Sequence, residues 1–420
     1  MTEDFLHHIW QNQVFNHKNL TTTAGEEVII LKPGIHNHLS GPDFHEALIQ
    51  IGDTKWAGSV EIHLSSSDWY HHNHEDDSAY HNVILHVVFE HDIVADGFKQ
   101  IPLLELKGRI SRQQLSKYET LSGSDQKIPC SSMISNVDEF IWQNWIERCA
   151  LKRLETKSEF IQQLDNKFNG DQKRLLLVLL FRAFGFKWNA DPMEELANRI
   201  PIKEIDKNNL SQQQLEALLL GQAGFLEASE ASPYRDELKK EYSFLMNKFG
   251  LTEMKLGAWK TGGVRPANSP HLRLAQLSSV LTKWNVFNQL FNKGKAKELI
   301  ELLRTKPSDY WEEHYRLSRK TKGKVHYQLS YNGACNIITN SVVPFLYFIG
   351  NKWANHDSVE KAINLLEQLP AEKNGVINNW KSLSLKIKNG LQSQGALHLS
   401  KNYCTFKRCL ECDIGKNILK

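Results

Sequence analysis

The chain has 420 residues, 41% apolar and 24% charged, with a formal net charge of +3 at pH 7. This length exceeds one ordinary core and points to two or three domains, and the composition excludes a disordered chain. Six cysteines exclude a disulfide-stapled mini-scaffold, the longest apolar runs (175–181 and 341–350) fall far short of the roughly 20 residues that span a bilayer, and MTEDFLHHIW has acids where a secretory leader has a basic segment, so a cytoplasmic protein with no membrane association is expected.

The charge is unevenly spread. Residues 1–110 hold 6 Lys/Arg and 16 Asp/Glu, and 13 of the 18 histidines lie in the first 91 residues. An acidic, histidine-rich front and a basic back suggest different tasks.

In chain order, Phe5, Ile9 and Val14 fall near one face of a helix over 4–15. A strand over 26–34 stops at Pro33 and Gly34, a second runs over 43–52 to the turn at Gly52–Asp53, and a third covers 56–67. A polar stretch, 68–82, holds a short helix. Strands over 83–92, rich in β-branched residues, and 101–110 follow. Beyond about residue 135 the pattern is helical. Asn136 with Glu139 reads as a capping box, Asp171 opens a helix that Gly185 closes, and Ser211 with Gln214 opens another. Ser232–Pro233 starts a helix that Gly250 ends; further helices start at Ser269 and cover 359–369. The expected organisation is an α/β domain over 1–115, a linker over 116–135, a helical domain over 136–400 and a Cys-rich tail over 401–420.

Strand alternation puts Glu61 and His63 on one face of the third strand and Val60, Ile62 and Leu64 on the other, apolar one. Asp43, after Pro42 at the head of the preceding strand, lies about opposite. Two carboxylates converging from adjacent strands suit a hard divalent cation such as Mg²⁺ or Mn²⁺, which can polarise a phosphoryl oxygen and acidify a bound water. The expected site is Asp43 and Glu61 as metal ligands, with His63 orienting or deprotonating the water.

Pro42-Asp43, an interval of 17 residues and then Glu61-Ile62-His63 resemble the PD-(D/E)xK signature of the restriction-endonuclease-like nucleases, and helix, three strands, helix, strand is that superfamily's core order. The resemblance covers roughly residues 1–110. It implies an α+β restriction-endonuclease-like αβββαβ core, with His63 standing where the family has lysine. That is a departure, because a neutral imidazole cannot replace a fixed positive charge. GPDFHEALIQIGDTKWAGSVEIHLSSSDW, ILHVV, RPANSPHLRLAQLSSVL, IITNSVVPFLYFIG and NYCTFKRCLECDIG further resemble a bacterial family catalogued only as a domain of unknown function, over nearly all 420 residues. That likeness implies no reaction or substrate.

Other residues bear chemistry. His71, His72, His74 and His81, with Asp76 and Asp77, could complete a metal site beside Glu61 or form a solvated loop; imidazoles favour Zn²⁺ or Mn²⁺ over Mg²⁺. His86 reads as a strand residue satisfied by a neighbour. Cys404, Cys409 and Cys412 are spaced C-x4-C-x2-C, and with Cys130 or His398 as a fourth ligand they suit Zn²⁺ or an iron–sulfur cluster. Cys149 reads as core. Arg265, Arg273, Arg316, Lys320 and Lys322 are candidate phosphate contacts, with Trp311, Tyr315 and Tyr327 as candidate base-stacking residues. The leading expectation is a metal-dependent nuclease acting on DNA or RNA. The rivals are an inactive nucleic-acid-binding or scaffold protein with that fold, and a zinc hydrolase of small molecules using the histidines.

Overall fold

Residues 1–93, 101–201 and 210–420 are described by a computed structural model. The protein is a mixed α+β chain of two compact units. The first comprises 1–145, 382–384 and 399–420, and the second 146–381 and 385–398.

In the first unit, helix α1 (Glu3–Gln11) starts at Thr2, whose hydroxyl accepts the Phe5 N–H. Phe5, Leu6, Ile9 and Trp10 are completely buried. Trp10 donates its indole N–H to the Pro33 carbonyl at 2.9 Å. A six-stranded mixed sheet follows. Its strands are β1 (Val28–Lys32), β2 (Ile35–His36), β3 (Phe44–Ile51), β4 (Thr54–Ser65), β5 (Val83–Glu90) and β6 (Leu103–Glu105). The order is β1-β3-β4-β5-β6, with β2 also pairing β3. β1, β3 and β4 form an antiparallel meander; β5 runs parallel to β4, and β6 parallel to β5. A parallel return needs a crossover. Here it carries helix α2 (Asp68–His71) and a single 3₁₀ turn, Ser78–Tyr80, rather than one longer helix. The strand expected over 101–110 shrinks to three residues, ending before the Lys107–Gly108 turn.

Among the sheet's register shifts, the one between β3 and β4 decides where Asp43 lies. Ala47 pairs with Gly58 but Phe44 pairs with Val60, so β3 carries one extra residue there. Glu46 takes up the bulge at φ +56°. A one-residue slip exchanges the faces of a strand. The bulge places Asp43 across from Glu61; unbulged pairing would have set it against Ile62, on the apolar face.

Residues 116–135, expected as a linker, hold most of helix α3 (Arg112–Gly123) and a packed turn in which Ile128, Cys130 and Ile134 are buried. The tail from Leu399 onward belongs to the first unit.

Among its described residues, the second unit is helical apart from loops and a small ribbon, His314–Arg316 with Arg319–Lys320. Ser211 and Gln214 form the expected capping box, and Ser232, Pro233 and Gly250 bound the expected helix. The helix Glu139–Lys167, in contrast, is capped by Asp138, whose carboxylate accepts the Phe140 N–H, in place of the Asn136–Glu139 box. Among the described residues, Tyr331–Lys352 is helical and apolar enough to cross a bilayer by length and composition, and 83% of its apolar window is buried in the protein.

Gly58 is where β4 meets the end of the crossover. A Cβ there would lie 2.6 Å from the Asn82 carbonyl oxygen and 2.5 Å from Ile84 Cγ2. Gly58→Ala should therefore lower stability by about 2 kcal/mol, read as a smaller urea midpoint at unchanged slope; an unchanged midpoint would refute the close approach.

Candidate metal centre

Asp43 and Glu61 hold each other through backbone. The Asp43 N–H donates to Glu61 Oε2 at 3.0 Å, and the Ile62 N–H donates to Asp43 Oδ2 at 2.9 Å. Glu61 and His63 are only 4% and 2% exposed. Both faces of central β4 are thus buried, one against apolar side chains and the other against imidazoles. Glu61 Oε1 is left facing two rings, His63 Nε2 at 3.5 Å and His74 Nε2 at 3.4 Å.

His63 lies in a chain of imidazoles. Its Nδ1 is 2.9 Å from His86 Nε2, on the neighbouring parallel strand, and its Nε2 is 3.1 Å from His72 Nδ1. With the shared proton on His63 Nδ1, His63 Nε2 presents a lone pair toward Glu61. His72 and His74 arrive on the turn after β4. That turn is pinned because Ser65 N–H donates to Asp68 and the Ser66 and Ser67 hydroxyls donate to Asp92. Tyr80 stacks on His74 at 3.8 Å, and Trp69 packs edge-on against it. One ligand atom from each of His63, His72 and His74 lies within 4.8 Å of the others. His74 Nε2 is buried and has no hydrogen-bond partner. A convergent set of lone pairs with an orphaned buried nitrogen fits a divalent cation of borderline softness.

The electrostatics agree. Burial, and then the Asp43 charge, push the Glu61 carboxyl up to about 8. Burial, and then the neighbouring imidazoles, push His63 and His86 down to about 3. His74 is also lowered, first by burial. The metal-free cluster therefore favours neutral rings and a protonated acid, while a cation would favour the carboxylate and keep the lone pairs in use.

Two contributors have no counterpart in the hairpin motif. His7, on α1, sets Nε2 3.2 Å from Asp43 Oδ2. Glu3, one helical turn earlier, feels the charges of His7 and His72. The i, i+4 spacing of Glu3 and His7 was the available signal. Of the loop histidines, His72 and His74 join the cluster. His71 instead pairs with Asp68 and is exposed, and His81 is exposed.

The cysteines are a separate group. Burial pushes the Cys130 and Cys409 thiols up to about 12, and nearby thiols add to it, Cys412 and Cys409 for Cys130 and Cys412 for Cys409. The Ile414 and Gly415 N–H groups face Cys412 and oppose the upward shift that burial causes there. Cys404 lies in the π-helical turn Ser400–Cys404 and is half-exposed. Among the described residues, no three thiols approach one another as the histidine nitrogens do.

The candidate phosphate contacts differ in their surroundings. Arg265, Lys320 and Lys322 are exposed, Lys320 pairs with Glu313, and Arg316 donates to the Thr261 carbonyl. Arg273 is 6% exposed, lies over the Phe186 ring and donates to Gln276, so it is a core residue rather than a phosphate contact. Trp311 is fully buried and donates to Glu216, which excludes base stacking. Tyr327 is 9% exposed.

Fold and cluster together define a mixed α+β protein with a buried histidine–carboxylate centre. The chain belongs to the family described as Protein of unknown function (DUF2851), whose model matches residues 3–375 and stops short of the cysteine tail. No curated protein and no solved structure matched the chain.

Two outcomes are expected. Folding raises the Glu61 carboxyl from the ordinary 4.5 to about 8, so in metal-free protein its contribution to stability is fully present below about pH 4.5 and is lost as pH rises to about 8. Glu61→Gln removes that loss. In EDTA at about pH 9 the variant should exceed wild type by on the order of 2–4 kcal/mol in urea unfolding and match it at about pH 4. Saturating Zn²⁺ should reverse the order at high pH; equal stabilities throughout would show that Glu61 ionises freely. Separately, a thiol-reactive disulfide reagent at pH 8 should modify Cys130 and Cys409 in the folded protein far more slowly than in urea. Fast labelling of both in the folded state would contradict the burial of Cys130 and the partial burial of Cys409.

Proposed function

We propose that this protein is a metal-dependent hydrolase whose scissile bond is a phosphodiester in DNA or RNA. The observation that carries the reading is the reciprocal Asp43–Glu61 pairing at the head of an antiparallel hairpin, beside His63 and followed by a parallel crossover strand. Element order and strand directions through β5 support the likeness to the restriction-endonuclease-like core, as do the positions of Asp43, Glu61 and His63 within it.

Asp43 and Glu61 would hold the ion from the carboxylate side, and His63, His72 and His74 from the imidazole side. That donor set suits Mn²⁺ or Zn²⁺ better than Mg²⁺. When bound, the ion would polarise the phosphoryl oxygen and acidify an attacking water. His7, against Asp43, positions that carboxylate and can accept a proton at its edge. His86 holds the ring of His63 in one tautomer. Trp69 and Tyr80 exclude bulk water from one side of the cluster, which strengthens its electrostatics.

The three-imidazole cluster also favours a second reading, a zinc hydrolase of small molecules, because three neutral nitrogens with one open position are what such a site needs.

The test is protein stripped with EDTA, reloaded singly with Mn²⁺, Zn²⁺ or Mg²⁺, and incubated with single-stranded and duplex DNA and with RNA. Strand cleavage should appear with Mn²⁺ or Zn²⁺, and Asp43→Asn should reduce it roughly a hundredfold. Metal binding without cleavage of any nucleic acid, but with hydrolysis of simple esters, would transfer the conclusion to the second reading.

A further inference from the structure

The first unit contains a cleft of about 670 Å³, walled by α1, by His36 and His38, by α3 and by the tail around Arg408 and Lys416. His8 contributes to its wall although only 4% exposed. The His8 Nδ1 accepts the Asn12 side-chain N–H at 3.3 Å, so the neutral ring must carry its proton on Nε2. That N–H is buried and has no partner. A buried donor without an acceptor costs roughly 1–3 kcal/mol. The proton on Nε2 calls for an oxygen from outside the chain.

The charges around it specify which kind. Lys407, Arg408 and Lys416 line the cleft from the tail, against Asp4 and Glu411. Arg408 is occupied by Glu411, and Lys407 donates to the Ser122 carbonyl. Lys416 makes no ion pair among the described residues, and its ammonium acts directly on His8. Glu411 feels the Lys416 charge but is itself held by Arg408; an unpaired donor beside an ammonium with no ion-pair partner recognises an oxyanion. The cleft also reaches the metal centre, because His7 lines it and touches Asp43.

We propose that the cleft binds a backbone phosphate of a nucleic-acid strand, with His8 Nε2–H and Lys416 as its direct contacts. The identity of the strand rests on the hydrolase reading; the phosphate chemistry rests on the cleft alone. The strand then enters the centre along α1 past His7, and the exposed cations of the second unit are not needed to hold it.

The experiment measures fluorescence anisotropy of a labelled single-stranded DNA oligonucleotide with metal-free protein in EDTA, with inorganic phosphate as competitor. Binding should weaken with salt, and phosphate should displace the strand. Lys416→Glu should raise Kd about tenfold or more and reduce the salt slope by about one. His8→Phe should weaken binding similarly, while His8→Gln, which places an amide N–H near the lost Nε2, should stay within about threefold of wild type. Lys322→Glu should change nothing. Circular dichroism melts confirm folding of each variant. No binding by wild type, or affinities of Lys416→Glu and His8→Phe within about twofold of it, would overturn the proposal. Cleft-dependent binding without cleavage under any metal would retain the cleft and discard the hydrolase. Asp43-dependent cleavage with KM unchanged in Lys416→Glu would do the reverse.

Discussion

The site depends on a two-way tie between neighbouring strands, in which each carboxylate of the pair accepts a backbone N–H from the other's segment. A carboxylate moves freely on its side-chain torsions; an accepted backbone hydrogen bond removes that freedom and costs little in the metal-free state. The tie exists only because the bulge at Glu46 advances the head of β3 by one residue. Without that extra residue Asp43 would face the apolar layer, where an unpaired acid is intolerable.

Two buried glutamates in this chain show what such a tie leaves over. Glu216, in the second unit, is fully enclosed and receives hydrogen bonds from Tyr234, Ser308 and Trp311. Its donors are rigid hydroxyls and an indole, none of which offers a useful lone pair to a metal, so that glutamate is a structural brace. Glu61 is surrounded instead by imidazoles, each able to act as donor or ligand according to where its proton sits. Similar burial yields a finished network in one unit and a receptive one in the other. The difference is in the partner chemistry, not in the depth.

Part of this was legible beforehand. Alternation in VEIHL places Glu61 and His63 together, and the hairpin sets Asp43 nearby, because a strand's two-residue period is a local property. The caps at Ser211 and Ser232 are equally local. His7 offers only its i, i+4 spacing from Glu3 and His8 offers no signal, because they sit in an amphipathic helix and adjacent histidines on a helix point in different directions. One reaches Asp43 and the other the cleft. Arg273 and Trp311 depart from expectation for the complementary reason. Charge and aromaticity suggest a surface role, yet Arg273 is stacked and hydrogen-bonded inside the helical unit, and Trp311 found a buried acid. Nothing in their immediate neighbours encodes those distant partners.

The sequence by itself determined the order of the main strands and helices, the alternation that loads β4 with an acid and an imidazole on one face, the caps at Ser211 and Ser232 and the concentration of histidine at the front of the chain. These follow from backbone periodicity and short-range hydrogen bonding, which act within a few residues. Only the tertiary structure decided that the polar face of β4 is buried, that His72 and His74 rather than His71 and His81 fold back onto it, and that the C-terminal tail brings its cations to α1. Those outcomes depend on strand register and on contacts between residues far apart in the chain, and the register at the site is set by shifts between β3 and β4 and between β4 and β5 that only the packed sheet positions.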